Sequence, residues 1–145
     1  MSDDSAELAI RVGKAWESGD ADEIVALHTE DTVFHMHDIA PPAVGEQATR
    51  ELVAMLFDQS PDLRFDPVRV HLGTEHFVTE YEVSGTREGR RFRCQGVDVF
   101  SIREGLIARK DTYIDWLAYQ AQTGIGTWAS IPTTPPTRFR HPESA

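Results

Sequence analysis

The spacing of apolar residues changes once along this chain, and that change limits the folds that it can adopt. Before residue 60, apolar side chains recur every three or four positions, which predicts helices at 4–18, 20–27 and 46–59. From residue 65 onward, apolar and polar residues alternate, which predicts strands at 65–72, 77–85, 91–102 and 106–116. Residues 32–39 predict one earlier strand. Asp20 is predicted to cap the second helix and Asp115 a last helical turn at 117–122.

Helices followed by a run of strands predict an α+β domain, with the helices on one side of a strongly curved, mostly antiparallel sheet. A sheet curved in this way has an open end that can become a pocket. A length of 145 residues suits one domain, which we place at 1–124. Residues 125–145 hold four prolines and Trp128, and predict an extended tail that packs on a partner through that tryptophan.

Charge and composition exclude several classes of function. The formal net charge is −10, which repels phosphate backbones and anionic membranes, so we expect neither a nucleic acid nor a membrane as partner. The polar N-terminus and the lack of a long apolar run predict no signal peptide and no membrane span. With Cys94 as the single cysteine, the expected compartment is the reducing cytoplasm.

Two carboxylates interrupt the last predicted hairpin. Asp98 shares strand parity with Phe92 and Phe100, and Asp111 would lie at a similar height if the strands pair about Glu104 and Gly105. Two acids this close in an apolar cavity cannot both ionise easily, so one serves as base and the other as acid. The competing interpretation is structural, with the two acids in salt bridges to Arg109 and Arg93.

The segments AWESGDADEIVALHTEDTVFHM, SPDLRF and GVDVFSIREGLIARKDTYID together resemble the nuclear transport factor 2-like (NTF2-like) superfamily, and above all its SnoaL-like polyketide cyclases. Ketosteroid isomerases and limonene-epoxide hydrolases are relatives. The resemblance implies a cone-shaped fold, a deep apolar pocket, frequent homodimers and no cofactor. It places Asp111 where the cyclases and hydrolases keep an acid–base aspartate. It places Asp98 where the isomerases keep a protonated aspartate and the cyclases a histidine.

Other positions depart from the patterns of these relatives. Tyr81 and Val83 stand where the epoxide hydrolases keep an arginine and an aspartate, and Phe34 and Met36 replace their water-holding tyrosine and asparagine. The isomerases' general base also falls near Met36, and their helical tyrosine near Val12. The resemblance therefore leaves Asp98 and Asp111, with Tyr81 as a hydroxyl donor.

His35 and His37 lie two apart on the first predicted strand and therefore share one face. With His28 or His71 they would offer three imidazoles to a metal, but no carboxylate or histidine follows at a matching spacing, so we predict no metal site. A register slip of one residue would turn both histidines into the pocket. His37 then becomes a candidate general base.

The sequence thus predicts a cofactor-free acid–base enzyme for a small apolar molecule that bears a carbonyl group, with polyketide cyclisation or steroid-type isomerisation as examples. Its predicted catalytic residues are Asp111, Asp98, Tyr81 and His37. The pocket is predicted to be lined by aromatic and apolar side chains: Trp16, Phe34, Met36, Phe57, Phe100 and Tyr113. The alternatives are an epoxide hydrolase or dehydratase in the same pocket, and a small-molecule-binding module without chemistry.

Overall fold

The computed structural model describes residues 2–126, with side chains from residue 4 onward. The predicted tail, apart from Ile125 and Gly126, lies outside the described residues, as does Trp128. Within the described part, the helices are α1 (Ser2–Ser18), α2 (Ala21–Val25), α3 (Glu46–Gln59) and α4 (Trp116–Thr123). The strands are β1 (His28–Met36), β2 (Ala43–Val44), β3 (Arg64–Leu72), β4 (His76–Arg87), β5 (Arg90–Arg103) and β6 (Leu106–Ile114).

The strands form one curled, unclosed sheet in the order β2-β1-β6-β5-β4-β3. All neighbours pair antiparallel except β1 and β6, which run parallel. In chain order, α1 and α2 precede the strands, α3 lies between β2 and β3, and α4 follows β6. This arrangement confirms the predicted α+β class and the mostly antiparallel curved sheet. No helix in the described part of the chain is long and apolar enough to cross a membrane.

The predicted helix caps form as expected. The Asp20 carboxylate accepts hydrogen bonds from the backbone N–H groups of Asp22 and Glu23 at the start of α2. Asp115 accepts one from the backbone N–H of Ala118, 3.0 Å away, and so begins α4. These bonds satisfy amide donors that a helix start would otherwise leave unpaired.

The apolar residues predicted from the helical stripes form the core against the concave face of the sheet. Its most deeply buried members come from α1, α2, α3 and four strands, and include Leu8, Ile24, Phe34, Val53, Phe77, Phe100 and Ile107. A smaller cluster lies around Tyr81, Phe92 and Tyr119 beneath α4. The two clusters leave a space between α3, α4 and the sheet.

One extra residue in β6 sets the register of the last hairpin. Ile102 pairs with Ile107, as expected around the Glu104–Gly105 turn, but Ser101 pairs with Arg109. Ala108 therefore has no residue opposite it, which is the arrangement of a β-bulge. Beyond this bulge every residue of β6 is displaced by one position relative to an ideal hairpin.

His28 is buried at the start of β1, with its Nδ1 2.9 Å from the Thr32 hydroxyl oxygen. Burial, aided by the nearby Lys110 charge, lowers the His28 pKa from 6.5 to about 4. The unfolded chain therefore binds this proton more tightly, so the free energy of unfolding should fall as the pH drops from about 6.5 to about 4. The full contribution is about 3 kcal/mol, from 1.36 kcal/mol per pKa unit.

Urea unfolding of the wild type and of His28→Gln between pH 7 and pH 4 checks this contribution. The His28→Gln variant should lose less stability over that range, while His76→Gln, a change at an exposed histidine, should follow the wild type. Parallel curves for the wild type and His28→Gln would contradict the assignment.

Candidate functional site

Asp98 lies on the concave face of β5 and is buried, with 6% of its surface exposed. The Tyr81 hydroxyl donates to Asp98 Oδ1 at 2.9 Å, and the Thr112 hydroxyl donates to the same oxygen at 2.7 Å. Gly96 permits the first contact, because a Cβ atom there would lie 2.6 Å from the Tyr81 ring. Burial and the Asp98 charge together raise the Tyr81 pKa well above its usual value. Tyr81 therefore stays protonated as a donor.

Lys110 is the cation that faces Asp98. Its Nζ lies 3.6 Å from Asp98 Oδ2, and the residue is 2% exposed. The same nitrogen stands 3.8 Å from the centre of the Trp16 ring and 4.3 Å from that of Phe34. Burial lowers the Lys110 pKa below its ordinary value, and Asp98 opposes that shift only in part. Lys110 is thus a poorly hydrated amine that gives up its proton more readily than a surface lysine.

Lys110 and Thr112 reach an apolar cavity of about 50 Å³ between the sheet, α3 and α4. Asp98 and Tyr81 do not line this cavity: Asp98 contacts Lys110 and Thr112 from behind its wall, and Tyr81 lines the neighbouring cleft beside α1. The rest of the lining is mostly apolar and includes Phe34, Met36, Leu56, Phe65, Phe92, Ile114 and Trp116.

Gln59 adds one polar group to the cavity wall. It lies at the end of α3, and its Oε1 atom is buried with no hydrogen-bond partner among the described residues. A buried acceptor without a partner costs free energy, and a donor on a bound molecule would satisfy it. The cavity therefore offers an amine at one place and an acceptor at another.

Asp111 does not face Asp98, so the prediction that the two carboxylates lie close together on one face of the sheet is wrong. Asp98 pairs across the hairpin with Thr112, and Asp111 pairs with Val99. The bulge at Ala108 causes this difference, because a displacement of one residue moves a side chain to the opposite face. Asp111 therefore lies on the outer face of the sheet, away from the cavity.

Asp111 is salt-bridged, as the structural alternative predicts, but to Arg109, which was the predicted partner of Asp98, and not to Arg93. Arg109 donates two hydrogen bonds to its carboxylate, at 2.8 and 2.9 Å, and His37 Nε2 lies 2.7 Å from its Oδ1. Burial raises the pKa of Asp111, but the bonds from Arg109 and His37 outweigh burial, and the pKa lies below its ordinary value. Arg93, the other predicted partner, pairs with Glu82.

His37 also lies on the outer face, which corrects its placement as a pocket residue. Phe34 and Met36 point inward with 1% and 4% exposure, so the slip of register that would turn the histidines inward does not occur. His35 pairs directly with Asp111 in the parallel register of β1 and β6. Their ligand atoms and those of His37 all lie within 4.8 Å of one another. The structure thus supplies the carboxylate that the sequence spacing lacked.

The predicted pocket residues divide into three groups. Phe34 and Met36 line the cavity, as expected. Trp16 and Phe100 line the cleft beside α1 and surround the Lys110 amine. Phe57 packs against Trp16 and lines neither space, and Tyr113 is half exposed on the outer face, stacked on His37. The prediction of Tyr113 as a pocket residue is therefore wrong.

Lys110, Thr112 and Gln59 are the residues that sequence reasoning missed. Lysine is almost never fully buried, so its position in a strand gives no expectation of a place in a core. One signal was present: Lys110, Thr112 and Ile114 alternate, and only Lys110 is out of keeping with a buried face.

An α+β fold whose curled sheet holds ionisable groups beneath an apolar cavity is that of an NTF2-like cone protein. Residues 10–110 match the family model of the SnoaL-like domain, and this chain belongs to that family. No curated protein matches the sequence.

Solved structures share the fold at low sequence identity. One is a protein of ketosteroid isomerase-like fold from Catenulispora acidiphila, in complex with trimethylamine, with 16% identity and a TM-score of 0.76 over 82% of this chain and 93% of that one. Another, from Jannaschia sp. CCS1, is assigned to the SnoaL-like polyketide cyclases, with 17% identity and a TM-score of 0.74 over 92% and 95%. An LEH-like epoxide hydrolase from M. tuberculosis has 16% identity and a TM-score of 0.70 over 81% and 86%.

Proposed function

We propose that this protein is a cofactor-free acid–base enzyme that acts on a small apolar molecule with a carbonyl group, and that Lys110 is its base. The observation that carries the proposal is the buried Lys110 amine, which lines an apolar cavity and has Asp98 behind it. A base is most effective when its pKa lies near the working pH, and burial moves the Lys110 pKa in that direction.

The reaction needs a base and a hydrogen-bond donor to the enolate oxygen from these residues. A neutral Lys110 amine takes a proton from the carbon next to the substrate carbonyl, and the ammonium that forms is stabilised by the Asp98 carboxylate. The Thr112 hydroxyl lines the cavity and can turn from Asp98 to the developing enolate oxygen, because Tyr81 still donates to Asp98. Return of the proton to another carbon gives isomerisation. Attack by the enolate carbon on a second carbonyl of the same molecule gives cyclisation: the C=O π bond of that carbonyl breaks, and the Lys110 ammonium returns its proton to the alkoxide that forms.

Asp98 is a positioning residue in this proposal, since it reaches the cavity only through its neighbours. Gln59 would bind a hydroxyl or N–H group of the substrate through its free Oε1. The base that the sequence assigned to Asp111 is here assigned to Lys110, one residue earlier in the same strand and on the opposite face.

Hydrogen–deuterium exchange tests this proposal without a known substrate. The protein is incubated in D₂O with a panel of apolar ketones, enones and β-diketones, and deuterium at the carbon next to the carbonyl is followed by NMR. At least one member should exchange faster with the wild type than with Lys110→Met. Lys14→Met, which removes the other lysine of the chain, is exposed in α1 and is the matched control.

A binding module without chemistry is the second candidate. It is favoured by the fact that Asp98 already has Tyr81, Thr112 and Lys110 as partners, so the buried charges are satisfied without turnover. Binding of panel members with no exchange above the Lys110→Met rate would support this candidate and overturn the first. Epoxides added to the same panel test for an epoxide hydrolase, which would convert them to diols.

A further inference from the structure

His35, His37 and Asp111 form a cluster on the outer face of the sheet that the proposed reaction does not use. His35 and His37 extend from β1, and Asp111 from the neighbouring strand β6, where it pairs with His35 in the parallel register. The three residues are partly buried, and their ligand atoms lie within 4.8 Å of one another. Since β6 turns Lys110 into the cone and Asp111 away from it, this cluster has no contact with the cavity.

We propose that His35, His37 and Asp111 form a binding site for a divalent transition metal ion such as Zn²⁺. Two imidazoles and one carboxylate suit ions of this class and leave further coordination positions for water or another ligand. Mg²⁺ and Ca²⁺ prefer oxygen ligands, so the two histidines favour a transition metal over both.

The geometry needs only small movements to accept the ion. Bonds of about 2.0–2.2 Å to a tetrahedral ion place its ligand atoms about 3.3–3.6 Å apart. The His37–Asp111 contact of 2.7 Å would open slightly, and the longest separation in the cluster would close by no more than about 1.5 Å. A neutral imidazole always has one ring nitrogen free to bind.

Arg109 is the feature that opposes a cation at this place. It donates one hydrogen bond to each oxygen of Asp111. A carboxylate has about four lone-pair sites, so the two bonds leave capacity for a metal. Arg109 then acts as an outer partner that orients the carboxylate, at the cost of some repulsion. The chain's formal net charge of −10 works in the opposite direction and attracts cations.

The expected role of the ion is structural. It would join β1 to β6, whose parallel pairing connects strands far apart in sequence and contains a register shift between His28 and Val33. An ion that binds the folded chain and not the unfolded one raises stability in proportion to the logarithm of its concentration. Zinc should therefore raise the melting temperature of the wild type.

Another cluster in the same sheet provides a matched control. His71 Nε2 lies 2.7 Å from Glu80 Oε2, and Arg69 donates to both oxygens of that carboxylate. This group has a histidine, a carboxylate and an arginine in the same arrangement as the proposed site, but it lacks a second histidine. It should bind no metal tightly.

Isothermal titration with Zn²⁺ alone, on the full chain freed of metal, tests the site. The wild type should bind one ion. His35→Ala and His37→Ala should each lower affinity by more than the roughly 10- to 100-fold lost with an outer partner. His71→Ala should bind like the wild type. Absence of binding at millimolar Zn²⁺, or an equal loss in His71→Ala, would overturn the proposal.

A second measurement separates ligand loss from misfolding. Metal-free His35→Ala and His37→Ala should melt close to the metal-free wild type, but only the wild type and His71→Ala should gain stability when Zn²⁺ is added. With Co²⁺ as the probe, the visible absorption of the bound ion should be the same in the wild type and His71→Ala and absent in His35→Ala. A spectrum unchanged in His35→Ala would place the ion elsewhere.

Discussion

Lys110→Met should slow proton exchange on a responsive carbonyl compound by roughly 10²- to 10⁴-fold, the contribution of a positioned general base. Methionine has a similar length and packs against the same rings, Trp16 and Phe34, but it holds no proton. The rate of the wild-type enzyme should rise with pH as the Lys110 amine loses its proton, with an inflection below the usual lysine value, because burial lowers this pKa. Initial exchange rates between pH 6 and pH 10 measure both effects.

Lys110→Arg separates a base from a charge that only binds. The guanidinium keeps the positive charge beside Asp98 but does not deprotonate in proteins. A base role predicts that this variant is as slow as Lys110→Met, whereas a binding role predicts that it keeps much of the wild-type affinity and rate. Circular dichroism and the urea midpoint of each variant establish that it is folded. Full activity in Lys110→Arg would end the assignment of Lys110 as base.

Asp98→Asn should destabilise the protein by about 3 kcal/mol, because breaking one side of a buried ion pair leaves the other charge without compensation. The amide oxygen can still accept from Tyr81 and Thr112, but the amide nitrogen or a neutral oxygen then faces the Lys110 amine. This expectation reverses the one that two coupled acids would give, in which Asp98→Asn is neutral or stabilising.

The double variant Asp98→Asn/Lys110→Met is the decisive comparison. It removes both charges, and an apolar replacement of a buried pair is often neutral, so its stability should return to within about 1 kcal/mol of the wild type. Urea midpoints at pH 7 for the wild type, both single variants and the double variant give the coupling free energy directly. Asp66→Asn, at an exposed ion pair with Arg64, should leave the midpoint unchanged. Additive losses in the double variant would show that the pair is not coupled.

The elements of this fold were predictable because they depend on local spacing. The helical stripe at 46–59, the caps at Asp20 and Asp115 and the alternation in β4 all lie within a few residues of one another in the sequence. The parallel pairing of β1 with β6 was not predictable, because it joins segments more than 70 residues apart and has no local signature.

The site was predictable only in part. The buried position of Asp98 follows from strand alternation and is found as expected, whereas the contact between Asp98 and the Tyr81 hydroxyl was not predicted. Asp111 was misplaced because Ala108 carries no sign that it is a bulge, being neither glycine nor proline. Lys110 was missed because a lysine between an arginine and an aspartate reads as part of a solvated face.

The bulge at Ala108 also determines which side chains of β6 face the interior of the cone. Residues 109, 111 and 113 offer an arginine, an acid and a phenol, whereas 110, 112 and 114 offer an amine, a hydroxyl and an alkyl group. Regular pairing of the same residues without the bulge would set Asp111 opposite Asp98, because every residue beyond Ala108 would then pair one position earlier. The choice between an amine-based interior and one with two acids thus depends on a single bulge, since both sets of groups are already present in the sequence of this strand.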